Sequence, residues 1–115
     1  MRPTARSVTL DVARMMEFYE PEAAFYFFPA SAEAVMTGRD AIAAQMKNHF
    51  SNHPGLRTTI VNRISSGNFV IESEHLTGLK AELMGGETET FGVTIYELRN
   101  GRIRRVWLLD PARSD

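Results

Sequence analysis

The first half of the chain alternates between helical and extended patterns of apolar residues. Between residues 10 and 20, apolar positions recur at spacings of three and four, which predicts an amphipathic helix with the buried face Val12, Met15, Met16 and Tyr19. The short aromatic run of residues 24–28 (AFYFF) predicts a buried strand that ends at Pro29. A second helix is predicted to follow residues 37–38 (TG) and to close at residues 54–55 (PG), with the apolar face Ile42, Met46, His49 and Phe50.

The second half of the chain predicts two β-hairpins. Residues 56–65 and 69–77 flank the turn sequence of residues 66–68 (SGN), and residues 88–98 and 102–110 flank Asn100-Gly101, a strong type I′ turn signal. The second turn would place Glu97 opposite Arg104. The predicted order is therefore helix, strand, helix and four antiparallel strands. This order indicates an α+β fold with the helices packed on one face of a curved sheet.

Alternation along each hairpin assigns its side chains to two faces. In the first hairpin, the predicted apolar face is Leu56, Thr58, Ile60, Asn62, Ile64, Phe69, Ile71, Ser73, His75 and Thr77. Its other face is charged, with Arg63 opposite or diagonal to Glu72, and is predicted to be partly solvated. In the second hairpin, one predicted face is Phe91, Val93, Ile95, Val106, Leu108 and Asp110, and the other is Thr94, Tyr96, Arg105 and Trp107.

Length and composition indicate a single globular domain over residues 1–115, with a core region of residues 10–111 and a loosely ordered stretch of nine residues before it. Thirteen Lys and Arg residues against fourteen Asp and Glu residues give a net charge of −1, whereas nucleic-acid-binding proteins usually carry a basic excess. The absence of cysteine excludes disulfides and thiolate chemistry. The most apolar stretch, residues 23–30, is too short to span a bilayer, and no apolar segment follows the basic first residues, so we do not expect a secretory signal. We therefore expect no nucleic acid or membrane partner and a cytoplasmic location.

Four segments in order carry a resemblance to a known family. Residues 19–26 (YEPEAAFY) are similar to the segment that enters the first strand of the nuclear transport factor 2-like superfamily, and residues 38–42 (GRDAI) are similar to its helix start. Residues 96–103 (YELRNGRI) are similar to one of its hairpins, and residues 62–74 add a further match. The chain most resembles the SnoaL-like branch, small bacterial proteins similar to ketosteroid isomerases, polyketide cyclases and limonene epoxide hydrolase.

This resemblance implies a cone-shaped, cystatin-like fold in which a strongly curved antiparallel sheet wraps around helices and encloses an apolar pocket. It also implies a homodimer formed through the outer face of the sheet. The family opens with a longer helix before the segment at Leu10, and only nine residues precede Leu10 here. We therefore expect this N-terminal helix to be short or missing.

The resemblance narrows the candidate chemistry. The catalytic base and the oxyanion acid of the isomerases correspond to about Phe27 and Val93, which cannot transfer a proton, so that chemistry is not expected. Related cyclases and epoxide hydrolases use an aspartate on the last strand, which corresponds within a residue to Asp110. On an apolar face, Asp110 would have a raised pKa suited to a general acid or base. The alternative is that Asp110 only ends the strand in water. Epoxide hydrolysis also needs an Arg and a second Asp, and no second Asp occurs among the strands.

The other candidate site residues lie on the predicted strands, apart from Tyr19, which lies on the first predicted helix. His75 on the apolar face is a candidate for proton transfer, or a hydrogen-bonded core residue. Asn62 and Ser73 would fix a polar atom of a ligand or satisfy each other. The remaining candidates for lining a ligand pocket, which would otherwise be packing residues, are Tyr19, Tyr26, Phe28 and Trp107.

No metal or cofactor is expected. His49 and His53 are four residues apart, as in helical zinc motifs, but the sequence offers no obvious third ligand. Three hypotheses for the function remain. The protein is a small-molecule enzyme that acts on an apolar, carbonyl-bearing compound with Asp110 as acid and base and with His75 or Asn62 as helper. Alternatively, it is a non-catalytic protein that binds a small hydrophobic molecule, or a dimeric module for protein interaction.

Overall fold

The computed structural model describes residues 6–7, 12–28 and 32–109 of the chain. These residues form two helices, one 3₁₀ helix and seven strands. In chain order the elements are β1 (Arg6–Ser7), α1 (Val12–Met16), β2 (Tyr19–Phe28), β3 (Met36–Thr37), α2 (Arg39–Asn52), β4 (Arg57–Ser66), β5 (Phe69–Thr77), the 3₁₀ helix (Ala81–Leu83), β6 (Glu89–Arg99) and β7 (Arg102–Leu109). None of the helices in the described part of the chain is long and apolar enough to cross a membrane.

The strands form one curved sheet in the order β1-β4-β5-β6-β7-β2-β3. β4 to β7 are consecutive antiparallel neighbours, which confirms the two predicted hairpins. β2 lies parallel to β7, with Phe25 opposite Val106. The sequence did not predict this pairing or the two-residue strands β1 and β3, which lie at the two edges. The predicted α+β arrangement, with the helices on one face of the sheet, is confirmed.

The first helix is shorter than predicted. α1 ends at Met16, and Tyr19 already begins β2. Tyr19 is buried, so its spacing from Met15 and Met16 suited either a longer helix or a turn followed by a strand. Pro21 lies inside β2, but at the irregularity between Tyr19 and Ala24, where the regular pairing with β7 is interrupted. A proline, which has no N–H to donate, is tolerated at such a position.

The prediction of the second helix is confirmed. α2 begins after Gly38, which has a positive φ of 102° and donates its N–H to the carbonyl of Ala23. Ile42 is 1% exposed, and Met46 and Phe50 pack partly buried against the same cluster. This core joins both helices to β2 and β7 and consists of Val12, Met16, Tyr19, Ala23, Ile42 and Val106.

The curved sheet has an inner and an outer face. The inner face packs against the helices and includes Val70, Glu72, Glu74, Thr94, Tyr96 and Val106. The outer face is opposite and includes Phe69, Ile71, Ile95 and Trp107.

The predicted register of the second hairpin is wrong by one residue. Glu97 lies opposite Arg105 rather than Arg104, because the pairing shifts between Glu97 and Leu98. One extra residue in a strand moves every following side chain to the other face. The corrected pairs are Val106 with Tyr96 and Leu108 with Thr94 on the inner face, and Trp107 with Ile95 on the outer face.

The first hairpin has the predicted pairing near its turn, where Arg63 lies opposite Glu72. Between Ile60 and Asn62, the register of β4 against β5 shifts. Ile60 therefore lies opposite Glu74 and does not share a face with Asn62. The two predicted environments are also exchanged. The charged face turns toward the helices, and the face predicted to be apolar is the outer one.

Candidate functional site

A cavity of about 610 Å³ lies between α1 and the inner face of the sheet. Its apolar wall comes from the helix, from the turn after it and from strands, and consists of Met15, Phe18, Val70, Leu98 and Ile103. The polar side chains of the lining come from four strands: Tyr19, Arg63, Ser65, Glu72 and Tyr96. An apolar hollow with a few polar groups is the usual form of a small-molecule site.

The strand period explains why these polar groups meet. Glu72 and Glu74 are two residues apart on β5, and side chains at that spacing share a face. Neighbouring strands place Arg63 opposite Glu72 on one side and Thr94 opposite Glu72 on the other. Three adjacent strands therefore form a polar row beside the cavity.

An ion pair forms one end of this row. The Nε and Nη2 atoms of Arg63 donate to the same oxygen, Oε2 of Glu72, at 2.8 and 2.5 Å. The Glu72 side chain is only 10% exposed, whereas that of Arg63 is 56% exposed. The Arg63 side chain is therefore largely exposed, whereas the Glu72 carboxylate that it binds is largely buried.

Glu74 has the most unusual proton affinity in the row. Burial, the charge of Glu72 and a hydrogen bond with Glu72 raise the pKa of Glu74 to about 7, and a hydrogen bond from Thr94 acts in the opposite direction. Glu74 itself is half-buried, so it keeps some contact with solvent. A carboxyl with this pKa is present in both protonation states at neutral pH.

Two tyrosines complete the polar part of the cavity. Burial and the nearby carboxylates of Glu74 and Glu72 raise the pKa of Tyr19 to about 12. Burial, followed by Tyr19 and the same carboxylates, raises the pKa of Tyr96 well above its usual value. Both phenols stay protonated at neutral pH and are available as hydrogen-bond donors. Together, these residues can donate hydrogen bonds to a bound acceptor and exchange a proton with it.

The structure separates the ligand-binding residues predicted from the sequence. Tyr19 lines the inner cavity. Phe28 and Trp107 instead line a groove of about 580 Å³ on the outer face, and Tyr26 stacks on Trp107 with ring centroids 5.4 Å apart. Ser73 and Asn62 lie opposite each other on the outer side of the first hairpin and line neither of these two cavities.

Of the two predicted catalytic residues, only His75 belongs to the described part of the chain, and it does not line the inner cavity. His75 lies on the outer side, where its Nε2 is 3.1 Å from Oε1 of Glu89 and its ring stacks on Phe91 at 4.3 Å. Asp110 follows β7 and lies outside the described residues. The pair Glu72 and Glu74 was not among the predicted site residues, because a charged strand face ordinarily indicates solvent. A signal was present, since Glu72 and Glu74 are two like charges on one face with Arg63 as the single predicted cationic partner.

His49 and His53 lie next to each other at the C-terminal end of α2. Their rings are 4.9 Å apart, and burial together with His53 lowers the pKa of His49. His53 accepts a hydrogen bond from the Lys80 N–H at Nδ1. Over the described ranges, no group of three or more His, Asp or Glu side chains is arranged to hold a metal ion.

Residues 5–106 match the family model of the SnoaL-like domain. The chain belongs to the SnoaL-like family. No curated protein matches it. Among solved structures, an uncharacterized cystatin-fold protein from Novosphingobium aromaticivorans is 18% identical with a TM-score of 0.75, over 87% of this chain and 85% of that one.

Two further structures share the fold of this SnoaL-like protein. A proposed SnoaL-like polyketide cyclase from Jannaschia sp. CCS1 is 21% identical with a TM-score of 0.71, over 84% of this chain and 69% of that one. A proposed ketosteroid isomerase from Kribbella flavida is 18% identical with a TM-score of 0.69, over 90% of this chain and 68% of that one. The family and the cystatin-like fold expected from the sequence are therefore confirmed.

Proposed function

We propose that the protein binds a small, largely hydrophobic, carbonyl-bearing molecule in the inner cavity and transfers a proton at the carbon next to the carbonyl. The observation that carries this proposal is the position of Glu74, which is half-buried and hydrogen-bonded both to Thr94 and to Glu72, a residue that lines the cavity. A general acid or base works best when its pKa lies near the working pH, and that of Glu74 is about 7. The apolar wall of the cavity supports a hydrophobic ligand.

The proposed step is reversible. Ionised Glu74 takes the proton from the carbon, and the electron pair of the broken C–H bond moves toward the carbonyl group to form an enolate. The protonated Glu74 then returns a proton to the same or a conjugated carbon. Tyr19 and Tyr96 are the donors available to the enolate oxygen, since burial keeps both phenols protonated. The names of the cyclase and isomerase neighbours support this class of chemistry, although likeness below 25% identity shows only the fold.

Exchange of carbon-bound hydrogen tests the proposal without knowledge of the natural substrate. The probe is 2-tetralone, an apolar ketone with acidic C–H bonds, and the measurement is loss of its C1 proton signal in D₂O by NMR. We expect the protein to accelerate exchange and Glu74→Gln to reduce the acceleration by about 10²-fold or more. The matched control is Glu87→Gln in the exposed loop before β6, which should retain it. Equal exchange with Glu74→Gln and the unmodified protein would exclude Glu74 as the base.

Non-catalytic binding is the alternative within the same cavity. In that case 2-tetralone would bind, as detected by shifts of the Tyr19 and Tyr96 ring signals, without accelerated exchange. The predicted role of Asp110 is part of this test, because Asp110→Asn should slow exchange if Asp110 acts as acid or base. A rate equal to that of the unmodified protein would remove Asp110 from the mechanism. The cytoplasmic location expected from the sequence likewise stays a prediction.

A second proposed property is self-association through the outer face. Several large apolar side chains there remain exposed, among them Phe28 at 52%, Ile64 at 56% and Phe91 at 58%. An apolar surface of this kind favours contact with another protein surface, and a homodimer through the outer face is what the family resemblance implies. Light scattering should give twice the monomer mass at micromolar concentration. Ile64→Glu should produce the monomer, whereas Leu83→Glu, at an equally exposed position of the 3₁₀ helix, should not.

A further inference from the structure

Arg63 makes an asymmetric contact with the two carboxyl groups of β5. Two of its nitrogens donate to one oxygen of Glu72. None of the ion pairs among the described residues involves Glu74. The hydrogen-bond partners of Glu74 are Glu72 and Thr94. Arg63 therefore forms an ion pair with Glu72 but not with the neighbouring Glu74.

A pair of this kind cannot easily hold two negative charges. Glu72 and Glu74 lie on the same face of one strand and share a hydrogen bond, which requires a proton on one of them. The site of that proton depends on which carboxyl group is better stabilised as an anion. An adjacent guanidinium that donates two hydrogen bonds stabilises the anion of its own partner, here Glu72.

We propose that Arg63 is a positioning residue that keeps Glu72 ionised and thereby places the shared proton of the carboxyl pair on Glu74. This inference rests on the proposed function, because it specifies which carboxyl group exchanges a proton with the ligand. Arg63 itself does not touch the reacting atoms in this scheme. It acts through Glu72, and its removal should alter the location of the proton more than the fold.

The other groups around Glu74 do not distinguish the two carboxyls in the same way. Tyr19 and Tyr96 are neutral at pH 7, and the Thr94 hydroxyl donates a hydrogen bond to Glu74, which by itself favours the anion of Glu74. The charged and titratable groups that face Glu74 are therefore Glu72 on its own strand, Arg63 on β4 through Glu72, Tyr19 on β2 and Tyr96 on β6. Arg63 is the only cation in this set, so the asymmetry of the pair depends on it.

The test is a ¹³C NMR titration of the glutamate side-chain carboxyl carbons in the protein without ligand, with Glu72→Gln and Glu74→Gln used for assignment. In the unmodified protein, the step near pH 7 should appear almost entirely on the Glu74 carbon. In Arg63→Gln, the proton should be distributed between both groups, so the two carbons should share the shift in comparable proportions. The matched control is Arg57→Gln, an exposed arginine on the same strand, which should leave the titration unchanged.

A conservative variant separates charge from structure. Arg63→Lys keeps a cation at this position, so it should return most of the step to the Glu74 carbon. The proposal is overturned if the step stays on Glu74 in Arg63→Gln, or if Glu72 already takes the proton in the unmodified protein. Hydrogen exchange of 2-tetralone is a separate readout. Redistribution in Arg63→Gln without any exchange activity would support the role of Arg63 and contradict the proposed function.

Discussion

His53 and Lys80, 27 residues apart in the chain, are joined by a hydrogen bond of 2.8 Å from the Lys80 N–H to the Nδ1 of His53. His53 is 5% exposed and follows α2, and Lys80 lies in the segment after β5. Because Nδ1 accepts this hydrogen bond, the ring proton of His53 is on Nε2. This hydrogen bond connects the C-terminal end of α2 to the segment that follows β5.

Replacement of His53 by alanine should destabilise the protein. His53→Ala leaves the Lys80 N–H without its acceptor and empties a buried position, so we expect a loss of about 1–3 kcal/mol in the free energy of unfolding. His53→Asn can place its Oδ1 near the position of Nδ1 and should recover part of this loss. Urea denaturation at pH 7.5 measures both variants. Equal stability of His53→Ala and the unmodified protein would show that the bond contributes nothing.

Stability should also depend on pH through Glu74. Its pKa is raised from 4.5 to about 7 in the folded protein, so the folded state holds a proton that the unfolded chain releases. The resulting stabilisation is fully present below pH 4.5 and is lost as the pH rises through 7. The free energy of unfolding of the unmodified protein, relative to that of Glu74→Gln, should therefore fall between pH 4.5 and 7.5. A difference between the two proteins that does not change with pH would contradict the assigned pKa of Glu74.

A close approach of two backbone segments predicts the effect of a glycine substitution. Gly78 has a φ of 75°, and a Cβ at this position would lie 1.9 Å from the carbonyl oxygen of Gly55. Gly78→Ala therefore requires the two segments to separate, besides the strain of the positive φ. Gly86→Ala, at a φ of 96° with open space around it, isolates that strain, which costs about 1 kcal/mol. Thermal unfolding should give a clearly larger loss for Gly78→Ala, and similar losses would mean that the segments move apart readily.

The elements were largely predictable from the sequence because each is encoded locally. The turn at Asn100-Gly101 and the alternation around it define β6 and β7, and the spacing of Ile42, Met46 and Phe50 defines α2. In contrast, the parallel pairing of β2 with β7 joins segments about 80 residues apart, and no local pattern specifies it.

The site was missed for two physical reasons. First, the shift between Glu97 and Leu98 reverses the faces of β7, and a bulge of one residue leaves no clear trace in the pattern of apolar residues. Second, the helices cover the face that carries Glu72 and Glu74, whereas the more apolar face that carries Ile71 is the outer one. A rule that places charges in water assigns the faces the wrong way round here, because the carboxyl groups are satisfied by Arg63 and by each other.

The observed register predicts that Arg105, and not Arg104, stabilises the Glu97 carboxylate. Glu97 is 8% exposed, and its Oε1 accepts a hydrogen bond of 3.0 Å from Nη1 of Arg105. Arg105→Gln leaves a largely buried carboxylate without its cation, and because the arginine itself is 39% exposed we expect a modest loss of about 1–2 kcal/mol. Arg104→Gln should change the stability by less than about 0.5 kcal/mol. Urea denaturation distinguishes the two, and a larger loss for Arg104→Gln would restore the register in which Arg104 faces Glu97.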